Sequence, residues 1–219
     1  MITIDGPAGA GKSTVAAALA RQLGFTLVDT GALYRGLAWA VQEAGVATDD
    51  GPALRAVLER TSVRLDGARV LVNGRDVSGE IRTPAISQLT SRLTTLGVVR
   101  DKMTPIQRAL AAEGGAVLEG RDTGSVVWPE AEVKFYLDAD LDTRARRRHD
   151  DLAARGLGAD LETVRGDVAR RDRLDMERAL APLVKPEGAV VVDTTGRGIT
   201  EVVDELLRVV EPARCCTRS

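Results

Sequence analysis

Apolar residues in this chain gather into five short β-rich runs, MITID (1–5), FTLVD (25–29), GAVLEGRD (115–122), VKFYLDAD (133–140) and AVVVDTT (189–195). Between them the apolar positions recur at helical spacing, as at Leu19 and Leu23 after the first run and Val202, Leu206 and Val209 after the last. Strands alternating with helices call for parallel pairing through crossovers, because a tight turn cannot deliver a parallel neighbour. Several runs are apolar at consecutive positions, as strands covered by helices on both faces must be. The pattern predicts an α/β fold built on a five-stranded parallel sheet.

One stretch breaks the rhythm. SVRLDGARVLVNGRDV (62–77) alternates polar and apolar residues around Asp66-Gly67 and Asn73-Gly74, two hairpin signals, and predicts a small three-stranded antiparallel insert. TPAISQLTSRLTTLG (83–97) predicts a helix with Thr83 as N-cap, Pro84 in its first turn and Ile86, Leu89, Leu93 and Leu96 as its buried stripe. A further helix carries Val99, Met103, Ile106 and Leu110 on one side, and the glycine-punctuated LAARGLGAD (152–160) predicts a mobile lid.

Composition narrows the partners. The 219 residues suit one α/β domain, and 44% apolar with 28% charged residues is ordinary for a globular chain. A net charge of -2 supplies no basic field to recruit nucleic acid or an acidic membrane. The cations are nearly all arginine, lysine standing only at Lys12, Lys102, Lys134 and Lys185, and guanidinium forks suit phosphates. Cys215 and Cys216 are adjacent and make no conventional staple. No signal-peptide pattern precedes the first run, and no apolar run approaches the ~18 residues of a membrane span. A reducing, cytoplasmic setting is the expectation.

Candidate chemistry begins at once. Gly6-Pro7-Ala8-Gly9-Ala10-Gly11-Lys12-Ser13 fits G-x-x-x-x-G-K-[ST], between a predicted strand and an amphipathic helix. Glycines let successive amides turn toward phosphate oxygens, and the helix beginning near Lys12 adds its positive end. Lys12 supplies a charge to the β- and γ-phosphates, and Ser13 a hydroxyl to Mg²⁺. The motif predicts a P-loop NTPase-type sheet that holds a triphosphate, without naming the acceptor.

Three segments bear on the acceptor. DTGALYRGLAWAV (29–41) ends the second strand and starts a helix with Leu33, Leu37 and Val41 inward and Arg35 near the strand's carboxyl end. GRDTG (120–124) brings Arg121 and Asp122 to the same edge, where an acid serves either Mg²⁺ or a second substrate. In ARRDRLDMERALAPL (169–183), Arg171, Asp175 and Arg178 share one helix face with Val164 and Val168, a stripe apolar first and charged afterwards. Converging arginines neutralise charge developing between two phosphates. The one histidine, His149, sits in an arginine run and forms no base constellation. An alcohol acceptor calls for a base, whereas a phosphate monoester is already an oxyanion at neutral pH, so the sequence leans toward a phosphate acceptor, with Asp29 held open as a base.

The ordered set IDGPAGAGKST, DTGALYR, DVSGEIRTP, EGRDTGSVVWP and RRDRLDMERALAPL resembles the bacterial cytidylate kinases over residues 1–210. The resemblance implies ATP-dependent phosphorylation of CMP and dCMP with Mg²⁺, and a single nucleoside monophosphate kinase unit. Its parts would be a core (1–29, 98–150, 168–210), a monophosphate-binding region with the antiparallel insert (30–97) and a lid (151–167); the tail (212–219) lies outside the resemblance and is expected to be disordered. It implies that Gly6 to Thr14 (Gly6, Pro7, Ala8, Gly9, Ala10, Gly11, Lys12, Ser13 and Thr14) bind ATP, with Ser13 on the metal. Arg35, Arg121 and Arg178 would hold the CMP phosphate, Ser91, Arg100 and Asp122 would read cytosine, and Arg171 and Asp175 would meet the ribose. Lys12, Arg121, Arg171 and Arg178 would be catalytic, and Thr30 stands where the family commonly has a serine near the substrate. A monomer without nucleic-acid or membrane partners is the default. Two other readings remain: a small-metabolite kinase of shikimate or gluconate type with Asp29 as base, and a non-kinase nucleotide switch, against which the lack of an N-K-x-D stretch counts.

Overall fold

A computed structural model describes residues 1–112 and 114–216, with side chains to Glu211. The elements are β1 (Ile2–Asp5), α1 (Lys12–Leu23), β2 (Thr26–Asp29), α2 (Thr30–Glu43), α3 (Pro52–Arg60), β3 (Val63–Asp66), β4 (Arg69–Val72), β5 (Arg75–Asp76), α4 (Pro84–Leu93), α5 (Gly97–Ala111), β6 (Ala116–Glu119), β7 (Val133–Asp138), α6 (Leu141–Ala153), α7 (Leu161–Glu177), β8 (Val190–Asp193) and α8 (Ile199–Cys216). A 3₁₀ turn at Glu80–Arg82 precedes α4, and a π turn at Thr123–Val127 follows β6.

The five predicted strands form one parallel sheet in the order β2-β6-β1-β7-β8, and β3-β4-β5 form a separate antiparallel sheet. β1 is central, and the chain reaches its neighbours β6 and β7 on opposite sides. The crevice at its carboxyl end is therefore the switch point where α/β sheets take ligands. Alternation along β1 serves two cores. Ile2 and Ile4 pack with Val15 and Leu19 of α1, Phe135 and Leu137 of β7, and Val202 and Leu206 of α8. On the opposite face Val28, Leu33, Leu37, Leu93, Met103 and Leu118 form the second core, joined by Val63, Val70 and Val72 of the antiparallel sheet. That sheet lies close on α2 because Gly36 has no side chain: a Cβ there would stand 2.9 Å from Val70 Cγ1.

Several boundaries differ from the sequence expectation. α4 stops at Leu93, and Leu96 is the extended residue that starts α5, because Thr94 to Leu96 close the turn with backbone bonds to Thr90, Arg92 and Leu93. β6 stops at Glu119, so Arg121 and Asp122 lie beyond the strand, on the approach to the π turn. Arg178 is not on the last helical turn: it caps α7 in an extended conformation (φ -61°, ψ 137°) and leads the chain away. Segment 152–160 forms the end of α6 and the connection to α7. The tail expected from 212 overlaps the last turn of α8, and its final residues 217–219 lie outside the described residues.

Candidate active site

The loop between β1 and α1 takes its shape from three left-handed glycines, Gly6 (φ 144°), Gly9 (φ 78°) and Gly11 (φ 85°). Two of them are fixed by contact as well. A Cβ on Gly6 would fall onto the Leu137 carbonyl oxygen, and one on Gly9 would stand 2.6 Å from the Arg144 carbonyl oxygen. Lys12 is buried and donates from Nζ to the Pro7 carbonyl at 2.7 Å. Burial, and after it the nearby Arg121, push its ammonium down to about 7. Ser13 Oγ donates to Glu119 Oε1 at 2.9 Å. Burial, then the Asp29 carboxylate, carry Glu119 up to about 7.

Glu119 is the residue that sequence reading missed. It ends β6 beside β1 and β2, in register with Ile4 and Asp29, which brings its carboxylate to the phosphate loop. Its only sequence signal was an acid at the end of an apolar run. Its backbone carbonyl accepts from Thr30 Oγ1 at 2.8 Å, so the Thr30 hydroxyl is engaged inside the protein although Thr30 lines the cleft. Ser13 and Glu119 are hard oxygen donors of the kind a small divalent cation takes, and Asp122, the alternative acid for that role, lies among arginines instead.

Asp5 organises the second wall. Buried at the end of β1, it accepts from Thr123 N (2.8 Å), Thr123 Oγ1 (2.8 Å) and Gly124 N (2.7 Å), fixing the π turn that follows Arg121 and Asp122. Arg121 Nε donates to Asp175 Oδ2 at 3.0 Å. Burial works against its charge, and Asp175 and then Glu119 more than restore it, so its pKa is raised. Arg178, with a side chain only 3% exposed, donates to the Ala181 carbonyl (2.6 Å) and to Asp122 Oδ1 (3.3 Å), and its Nη1 stands 3.6 Å from Asp175 Oδ1. Arg100 is ion-paired to the other oxygen of Asp122 and is buried behind it, outside the cleft lining. Arg171 lies 4.0 Å from Asp175 and is pushed down to about 10 by burial and by Arg121.

These groups share one cleft of about 1090 Å³. Among the residues singled out from sequence, the loop from Ala8 through Thr14 lines it with Thr30, Arg35, Ser91, Arg121, Asp122, Arg171, Asp175 and Arg178; Gly6, Pro7 and Arg100 support it from behind. Two guanidinium donors, Arg35 Nε and Arg171 Nε, are buried there without a hydrogen-bond partner among the described residues. Asp29, the base of the alternative reading, caps α2 by accepting from Ala32 N at 2.6 Å and pairs with Arg35 at 3.3 Å. Burial opposes its charge, but Arg35 and the contact with Glu119 outweigh burial and hold the carboxyl below the ordinary carboxylate range. Such a group accepts a proton poorly, which counts against Asp29 as the base for an alcohol acceptor.

No helix among the described residues is long and apolar enough to cross a membrane. In solved structures the overall arrangement recurs in a protein from Thermus thermophilus (TM-score 0.52, 23% identity, covering 95% of this chain and 94% of that one), a likeness of fold alone. Among sequences, the chain is 46% identical over 213 residues to a cytidylate kinase of Carboxydothermus hydrogenoformans, covering 95% of this chain and 96% of that protein. It is 47% identical over 214 residues to one of Geobacter sulfurreducens, covering 96% and 92%. The family model described as cytidylate kinase matches residues 2–212. The chain belongs to the cytidylate kinase family.

Proposed function

We propose that this chain transfers the γ-phosphoryl group of ATP to CMP, and to dCMP, giving ADP with CDP or dCDP. The amides of the Gly9–Ser13 nest, the positive end of α1 and Lys12 bind the donor's β- and γ-phosphates. Mg²⁺ would be held at Ser13 Oγ with Glu119 beside it, and when bound it neutralises charge on the donor phosphates. Opposite the nest, Arg35, Arg121 and Arg178 hold the acceptor phosphate, Arg171 and Asp175 meet the ribose, and Ser91 and Asp122, backed by Arg100, read the cytosine edge. Lys12, Arg121, Arg171 and Arg178 balance the charge that grows as the two phosphates approach, a role worth about 10³–10⁵ in rate for a well-placed arginine. No proton acceptor is needed, since a phosphate monoester arrives ionised.

The observation that carries this reading is the gathering of Arg35, Arg121, Arg171 and Arg178 in the cleft that also holds the phosphate loop, with Arg35 Nε and Arg171 Nε making no hydrogen bond among the described residues. A buried donor left unpaired costs about 1–3 kcal/mol, and an anion's oxygens meet that need. The reading extends to a monomer working in the cytoplasm, with residues 30–97 and 151–167 closing on the core around both nucleotides. The test is coupled ADP release with CMP, dCMP, UMP, AMP, shikimate, gluconate or no acceptor. Stimulation by CMP at least tenfold above every unphosphorylated alcohol is expected. Turnover indifferent to CMP, or driven by an alcohol, would overturn the assignment.

A further inference from the structure

Outside the groups that face the nucleotides, a buried ion pair grips the phosphate loop from behind. Asp172 of α7 accepts from the Ala8 amide through Oδ1 at 3.1 Å and is ion-paired through Oδ2 to Arg144 of α6. Arg144 donates from Nη1 to the Ala8 carbonyl at 3.1 Å and from Nε to the Ala139 carbonyl at 2.8 Å. The two successive peptide units that flank the Ala8 Cα are thus held, one by its N–H and one by its carbonyl, by one carboxylate–guanidinium pair, each residue less than a tenth exposed. An apolar contact surrounds it, in which Ala8 packs with Leu152 of α6 and Val164 and Val168 of α7. The same helices carry groups into the cleft: Arg147 and Arg148 on α6, and Arg171, the residue beside Asp172, with Asp175 on α7.

We propose that Arg144 and Asp172 are positioning residues that fix the phosphate loop relative to α7, and so set the distance between the donor phosphates and the acceptor-side groups Arg171 and Asp175. The two act with opposite signs on the donor. Asp172 aligns the Ala8 peptide but brings a negative charge to the edge of an anion nest, and Arg144 cancels that charge. Removing the cation leaves a buried, unpaired carboxylate that repels the triphosphate; removing the carboxylate's charge loosens the alignment without repelling ATP. A displacement of about 1 Å at reacting atoms is enough to cost 10²-fold in rate.

The kinetics of three variants separate this from a general weakening of the fold, a test that rests on the CMP reaction proposed above. Asp172→Asn is expected to lower kcat at least tenfold while KM for ATP changes less than twofold. Arg144→Met is expected to raise KM for ATP at least tenfold. The double variant is expected to recover most of that KM while kcat stays low, since the unpaired carboxylate is gone but the alignment is not restored. Arg144→Lys keeps the charge and loses the fork, so it should keep KM and lose kcat; it stands in for Arg144→Met if that protein does not fold. Near-native kcat in Asp172→Asn, the same KM–kcat pattern in both single variants, or a tenfold KM increase in Arg144→Lys would overturn the proposal. If the unsubstituted protein does not turn over CMP, the CMP reading falls. The affinities of a non-hydrolysable ATP analogue then decide the clamp, Arg144→Met binding more weakly than the double variant or the clamp being wrong.

Discussion

Lys12 and Glu119 are electrostatic neighbours, and both sit near the middle of the pH scale because burial penalises charge. With Lys12 at about 7 in the folded protein against an ordinary 10.5, the unfolded chain holds a proton that the folded chain lacks throughout the interval between these values. The lysine's contribution to stability therefore rises with pH across that window. A triphosphate beside Lys12 favours the ammonium, so binding of an ATP analogue at about pH 8 should take up protons. Calorimetry in buffers of differing ionisation enthalpy reads this as a slope, and a flat response would contradict it. Arg178 was legible from sequence as a charged residue of the acceptor wall, but not the extent of its burial. Since it pairs with Asp122 and Asp175, Arg178→Ala takes one cation from each of two buried carboxylates, leaving Asp122 to Arg100 and Asp175 to Arg121, and frees the Ala181 carbonyl. That change should cost about 1–3 kcal/mol of folding stability as well as activity, as urea unfolding would report.

At the scale of elements, the sequence carried the strands, the antiparallel insert and the cap of α4, because each has a local signature. Thr83 accepts from Ile86 N as the capping pattern requires, and the two glycine turns join β3, β4 and β5. What it did not carry depends on register. Glu119 and Asp5 become site residues because β6 and β1 pair side by side, and Arg144 with Asp172 because α6 and α7 pack on Ala8; no spacing within one segment encodes either. α5 holds a further point of strain that periodicity concealed. Pro105 lies inside it with an exposed ring, removing one helical hydrogen bond. Pro105→Ala should raise stability by about 1–3 kcal/mol without altering turnover, and a loss of stability in thermal unfolding would refute that.

For the whole molecule, the cleft is walled on one side by residues of α2 and α4 and on the other by residues of α6 and α7, with the phosphate loop as its floor. Ligands that touch both walls favour the closed arrangement only so far as they bind it more tightly than the open one. In the proposed reaction two nucleotides bridge the walls where one does not. Limited proteolysis at the α6–α7 connection, 154–160, is therefore expected to slow at least fivefold with CMP and a non-hydrolysable ATP analogue together, and less than twofold with either alone. Equal protection by the ATP analogue alone would show that the acceptor wall takes no part.

Glu119 offers its carboxylate to Ser13 and its backbone oxygen to Thr30. A single residue thereby ties the start of α1 to the start of α2, which in the proposed reaction are the donor side and the threshold of the acceptor side. Descendants of this protein that acquire a new acceptor by reshaping the start of α2 inherit a constraint from the other substrate, because sliding that strand end by one position would unseat the serine opposite. Changes in acceptor preference should accordingly accumulate farther out, around Ser91, whose hydroxyl bonds to the Ser87 carbonyl of its own helix and not to Ser13 or Glu119.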